Sequence, residues 1–304
     1  MPTTPRDHRA AGVAQALIAY SLWGVLPVYL WFVQDTGTLE IIGWRVVFSV
    51  LICAALLTAL RQWRRFVELV RRPRAVIVLG VTGLFVLSNW LLYVWSVETG
   101  RPLEGALGYY LNPLVSMVLG MLVLRERLRP LQWLAVGFAT AAVVVLVVGY
   151  GTAPWLALAI AVTFGVYGLV KKQVGATVDP VAGFTVETLT VLPIAAVLLA
   201  VLAGGPGLSM GSAGPGHSLL LALSGAITTA PLVLFASASR HLKLVELASF
   251  QYLAPTIHFV VGITLFGEEM PLERWLGFGL VWTALVIFSV DLVRSERRMR
   301  PRRA

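Results

Sequence analysis

Residues 75–97 read AVIVLGVTGLFVLSNWLLYVWSV, 23 positions without one charged side chain. As a helix rising 1.5 Å per residue this run would extend about 34 Å, and the hydrocarbon core of a bilayer is about 30 Å thick. The chain carries nine more such runs, at 11–33, 39–60, 102–124, 131–150, 152–170, 180–202, 218–239, 244–266 and 271–293. They are too long for strands and do not alternate apolar with polar residues, so helices are expected and not a barrel. Only 13% of residues are charged and 58% are hydrophobic, where a soluble protein carries about 25% charged residues. There is too little polar surface to wrap a soluble core. The expected fold is an all-α integral membrane protein of ten transmembrane helices. The first run is too long for a signal-peptide core and lacks a small-residue cleavage site at its end, so it reads as a retained span.

Charge gives the orientation. With the amino terminus in the cytoplasm, 21 of the 24 Lys and Arg fall on the cytoplasmic side. Only Arg101 and Arg274 fall outside, and Arg45 lies within a span. This positive-inside pattern predicts a multi-pass protein of the inner or plasma membrane with both termini cytoplasmic. The net charge of +9 has the same origin. The basic residues sit between apolar runs and form no nucleic-acid module, so lipid is the expected partner and nucleic acid is not. The segment RQWRRFVELVRRPR (61–74) sets Trp63, Phe66, Val67 and Val70 among six arginines. It fits a short amphipathic helix on the inner leaflet or an ordinary basic loop equally well. The basic tail 294–304 is expected to be disordered beside anionic lipid.

The chain also repeats itself. EGALGYYLNPL (104–114) returns as ELASFQYLAPT (246–256), 142 residues later, and 103–148 aligns on 245–290 without a gap at 14 identical positions of 46. Residues 1–10 then form a tail, 11–150 a first five-helix repeat and 152–293 a second. Five is odd, so the two repeats cross the membrane in opposite senses. An inverted repeat of this kind places a substrate site near the midplane, between its halves.

Pro113 and Pro255 fall mid-span in the two copies and are expected to kink both helices. A mid-helix proline frees the carbonyl four residues earlier, here at Tyr109 and Gln251. In lipid such a carbonyl must face protein or a wet cavity. Tyr109, Pro113, Ser116 and Gly120 share one helix face, as do Gln251, Pro255, His258 and Gly262. Tyr110 and Asn112 beside the first proline, with Trp23, Asn89, Trp90, Tyr93, Tyr167 and Tyr252, complete the residues expected to line an aromatic cavity. The alternative is a kink and small-residue stripe used only for packing.

Two intramembrane charges occupy matching places in the repeats, Arg45 and Glu187. Each would cost about 2.5–3.5 kcal/mol at a helix centre. They lie off centre in opposite directions, roughly 12 Å apart along the normal, so they are not expected to pair. Arg45 is expected to meet Glu104 or a carbonyl, and Glu187 to meet Lys171, Lys172 or Lys243. Trp31, Trp95, Trp155 and Trp275 read as interface residues. The lone Cys53 makes neither disulfide nor zinc site. His8, His217 and His241 suggest no metal cluster, and no cofactor is implied. GLSMG (207–211) fits the G-x-S-x-G motif but lacks the strand-turn-helix setting that a nucleophile elbow needs.

The segments AYSLWGVLPVYLW (19–31), WRVVFS (44–49), NWLLYVWSV (89–97), EGALGYYLNPL, YGLVKK (167–172) and FQYLAPT (250–256) resemble the RarD branch of the EamA family, in the drug/metabolite transporter superfamily. The resemblance covers about 11–293. It implies ten helices with cytoplasmic termini, an inverted five-plus-five repeat, a central cavity and the family label "chloramphenicol-sensitive protein". Trp44 departs from it, standing where a histidine is expected, which takes a proton role away from that position.

The function expected is secondary transport of a small organic metabolite or drug-like molecule by alternating access. No G-x-x-x-x-G-K-[ST] motif is present to bind ATP. If protons are the coupling ion, Glu187 and His258 are the titratable candidates. The rivals are a non-transporting receptor or assembly protein, and a membrane-embedded enzyme. The enzyme would need a converging polar constellation within the spans, and none is apparent.

Overall fold

The computed structural model describes residues 5–99, 102–150, 155–265 and 272–298. They form thirteen helices: α1 (Pro5–Gly24), α2 (Leu26–Phe32), α3 (Thr38–Ala59), α4 (Trp63–Val70), α5 (Pro73–Glu98), α6 (Pro102–Leu122), α7 (Pro130–Tyr150), α8 (Trp155–Val174), α9 (Pro180–Gly204), α10 (Pro215–His241), α11 (Leu244–Phe250), α12 (Leu253–Thr264) and α13 (Leu272–Arg298). Six of these begin on a proline. The fixed φ suits the first turn, where the missing N–H has no partner to lose.

Among the described residues, six helical runs are long and apolar enough to cross a membrane: His8–Phe32, Thr38–Ala59, Pro73–Ser96, Trp155–Val174, Pro180–Gly204 and Pro215–His241. Leu107–Leu122, Pro130–Val145 and Trp275–Asp291 are shorter apolar helices. Large aliphatic side chains point outward along them, as at Leu51, Ile77, Val148 and Val201. Apolar surface on this scale belongs against lipid and not water.

The expected run 244–266 is not one helix. It breaks at Gln251–Tyr252, and Pro255 occupies the first turn of α12, where proline is tolerated. Its counterpart differs: Pro113 sits inside a continuous α6, so the symmetric pair of kinks becomes one break and one unbroken helix. A further interruption at Val25 separates α1 from α2, with Pro27 in the first turn of α2. Segment 61–74 does contain a helix, α4. Phe66 and Leu69 pack onto α9, while Trp63, Val67 and Val70 form an exposed apolar stripe.

Helix packing follows the sequence repeat. The contact of α6 with α8 has its counterpart in α12 with α1. Likewise α5 with α8 matches α10 with α1, and α5 with α9 matches α10 with α3. The contacts of α3 with α9 and of α7 with α13 are their own counterparts. Two glycines 142 residues apart permit the matched crossings. A Cβ on Gly83 would lie 2.7 Å from the Glu187 carbonyl oxygen, and one on Gly225 would lie 2.4 Å from the Phe48 carbonyl carbon. Neither position has room for a side chain.

Interhelical contacts define two ends. At the basic end Arg9 meets Glu246 and Arg129 meets Asp291 (2.8 and 2.9 Å), and Arg65 meets Asp179. At the opposite end the 205–214 loop is tied to the start of α3. Buried Glu40 accepts from the Ser209 and Met210 N–H groups and from the Ser209 hydroxyl and Trp44 indole, all within 3.1 Å. This explains Ser209 of the GLSMG motif: its hydroxyl is spent on a structural carboxylate. The four interface tryptophans, Trp31, Trp95, Trp155 and Trp275, all have exposed side chains.

Candidate functional site

The polar interior divides into two regions. In the half nearer the opposite end, Arg45 projects from the second turn of α3. Its Nε donates to the Thr228 hydroxyl of α10 at 2.9 Å, and its guanidinium lies 4.4 Å from the centroid of the Trp90 ring on α5. One turn along α5, Tyr93 packs against Tyr109 of α6, ring centroids 5.4 Å apart. The hydroxyls of Tyr109 and of Tyr29, on α2, lie within electrostatic reach of Arg45. Arg45, Tyr93 and Tyr109 pack between helices, yet each keeps accessible surface. A packed interior gives depth without accessibility. We read the half-buried surface these three share as the lining of a crevice. The partner expected for Arg45 was Glu104 or a carbonyl, and it is a threonine hydroxyl and an indole face; the Glu104 side chain lies outside the described residues.

The half nearer the basic end is filled. Tyr167 and Phe235 are fully buried and stacked at 5.7 Å. Tyr20, Trp23 and Phe164 close around them, with Trp23 packing 5.8 Å from Phe164 and 6.0 Å from Phe235. Beyond this plug Glu187 of α9 pairs with Lys171 of α8, both buried, and the Lys171 ammonium lies over the Tyr167 ring, 5.5 Å from its centroid. Below, the Glu126 carboxylate accepts the Leu244 and Val245 N–H groups at the start of α11, both at 2.9 Å. That carboxylate supplies the first turn of α11 with two acceptors it otherwise lacks.

The proline-face residues meet between these regions. Gln251, at the break before α12, donates from Nε2 to the Ser116 hydroxyl at 3.2 Å. The Gln251 and Asn112 side-chain oxygens are buried without a hydrogen-bond partner among the described residues. Asn89 is committed elsewhere, donating to the Ile160 carbonyl at 2.8 Å and to the Thr163 hydroxyl. Tyr252 and Tyr110 leave the expected aromatic group and pack with Met117, Ala139 and Phe288, between α6, α7 and α13. The His258 side chain lies outside the described residues.

Sequence reasoning missed several members. Phe235 stands 142 residues after Tyr93, so the repeat alone would have found it. Tyr20 lies within the quoted AYSLWG. Glu40 carried only the signal of an acid in a first turn. Thr228 carried none, because a hydroxyl in an apolar run has many structural uses.

A family model described as the EamA-like transporter family matches residues 10–148 and matches again at 152–290. The chain belongs to that family. It is similar to Protein RarD of Streptomyces exfoliatus, 41% identical over 297 residues, 97% of this chain and 93% of that protein. It is 42% identical over 291 residues to the Uncharacterized transporter PA0485 of Pseudomonas aeruginosa, covering 95% of this chain and 96% of the relative. A solved crystal structure shares the fold with a TM-score of 0.71, covering 92% of this chain and 97% of its own, at 19% identity. As a multi-pass EamA membrane protein the chain carries the family unit twice, and Arg45 and Glu187 occupy the same place in the two copies.

Proposed function

We propose that this EamA protein is a secondary transporter moving a small organic metabolite or drug-like molecule by alternating access. In this reading ten spans form an inverted five-plus-five repeat, both termini are cytoplasmic, and substrate passes through a cavity between the repeats. The observation that carries it is the unequal accessibility of repeat-related positions. Arg45, Tyr93 and Tyr109 keep accessible surface, while Glu187, Phe235 and Gln251, each 142 residues on, are buried. An inverted repeat whose halves adopt different conformations opens one side and seals the other, and exchange of the two conformations moves the opening across the membrane. Here the outer half is open, and the aromatic plug with the Lys171–Glu187 pair is the inner gate.

Single cysteines test this. Cys53 is fully buried and can be replaced by alanine to give a clean background. Tyr109→Cys should react with an impermeant maleimide added to whole cells, and Gln251→Cys should react only from the cytoplasmic side of inverted vesicles. In the double variant, modification of one position should protect the other. Independent labelling of both would mean a static pore, and protection of both from either side would mean no pathway; each defeats alternating access.

A further inference from the structure

Arg45 is a cation deep in an apolar bundle with no carboxylate within ion-pair distance among the described residues. Only its Nε is used, on Thr228. The two terminal nitrogens make no hydrogen bond to a described residue, and the group keeps accessible surface inside the crevice. Its mirror position solves the same problem differently: Glu187 has Lys171 and is sealed. A buried charge is normally paired, because removal from water is costly and only an opposite charge offsets it. Arg45 is held as a recognition arginine is. Trp90 covers the guanidinium from one face, Thr228 fixes its rotation, and the fork of two terminal N–H groups is left to donate to two oxygens.

The surroundings restrict that anion further. Trp90, Tyr93 and Tyr109 present ring faces and edges beside the guanidinium, suited to an aromatic or flat apolar body. The Tyr29 hydroxyl is committed to the Leu220 carbonyl at 3.1 Å, which leaves the Tyr93 and Tyr109 hydroxyls, among the described residues, to turn toward a ligand. No second cation accompanies Arg45 in the crevice among the described residues, so one negative charge is matched and two are not. We infer that Arg45 is the anion-recognition residue of this transporter and that its substrate is an organic monoanion, a carboxylate carried on an aromatic or apolar body. The inference rests on the transport reading for the word substrate; the binding site itself does not.

The test uses three probes of one shape: phenylacetate, phenylacetamide and phenethylammonium. Binding to the purified full-length protein is read by calorimetry and by thermal shift. Phenylacetate should bind at least tenfold more tightly than phenylacetamide, and phenethylammonium should not bind. Arg45→Gln should abolish the preference for the carboxylate, and Arg45→Lys should keep part of it. Equal affinity for acid and amide in the unaltered protein overturns the inference without recourse to any variant. So does a failure of all three probes at 10 mM, or a carboxylate preference that survives Arg45→Gln. Flux in proteoliposomes separates the two readings. Carboxylate-selective binding without flux would refute transport and leave the anion site standing. Flux of the amide or amine without carboxylate selectivity would do the reverse.

Discussion

Arg45, Tyr93 and Tyr109 in the first repeat answer to Glu187, Phe235 and Gln251 in the second. The backbone frame around the two sets is alike, since α3 packs on α9, α5 on α9 as α10 on α3, and Gly83 and Gly225 permit the matched crossings. The chemistry is not alike. One set holds an arginine with no counter-ion among the described residues and two phenols with accessible surface; the other holds a neutralised carboxylate, a stacked phenylalanine and a buried amide. The difference teaches that symmetry of fold here does not mean equivalence of ends. The second set is built to seal by its own contacts. The first is built so that sealing needs something brought in from outside.

The heaviest blow to that contrast falls on the sealed side. Lys171→Met strips Glu187 of its cation and leaves a bare buried carboxylate. Breaking one side of a buried pair costs about 3–5 kcal/mol, whereas replacing both members by apolar residues of similar volume is close to neutral. The single variant should therefore lose most of its thermal stability in detergent, and Lys171→Met with Glu187→Leu should regain it. Equal losses in single and double variants would show that the pair does more than neutralise itself. The same treatment of Arg45 should not reproduce this pattern, because Arg45→Gln leaves no opposite charge behind among the described residues.

A smaller loss is expected where the frame itself is crowded. Gly225→Ala puts a methyl group 2.4 Å from the Phe48 carbonyl carbon, so α10 must retreat from α3. Overpacking of this kind costs about 1–3 kcal/mol. Gly137→Ala, with nothing within 4 Å, is the control and should leave the melting temperature unchanged or slightly raised. If Gly83→Ala and Gly225→Ala are not both destabilising, the matched crossings are not equally tight and the frame is less symmetric than the packing suggests.

What was legible in the sequence divides along the same line. Apolar length and charge placement find the long helices, because those depend on each segment meeting lipid and water by itself. The repeat offset finds partners across the molecule, and would have paired Phe235 with Tyr93. The two prolines were only half legible. Pro255 marks a real break, but Pro113, with the same flanking leucine and tyrosine, leaves α6 unbroken. Whether a helix parts at a proline depends on what satisfies the freed carbonyl, and that is settled by neighbours the local sequence does not name. The partners of Arg45 were illegible for the same reason. Thr228 lies 183 residues away and looks like any other threonine in a span.

The finest instrument for the comparison is Glu126. Its two carboxylate oxygens take the Leu244 and Val245 N–H groups and so tie the segment that follows α6 to the start of α11, at the sealed end and away from the crevice. Glu126→Gln keeps the shape but removes the charge, and it turns one of the two acceptors into a donor that faces an N–H. The loss should be about 1 kcal/mol, in the range of a single hydrogen bond. That is too little to unfold a bundle of this size. It is enough to shift a two-state equilibrium about fivefold if the contact exists in one state only. Labelling of Gln251→Cys from the cytoplasmic side should therefore speed up about fivefold in the Glu126→Gln background, while labelling of Tyr109→Cys from outside slows. Acceleration at both positions would mean that the substitution loosens the protein generally, and that Glu126 supports the fold without favouring one end over the other.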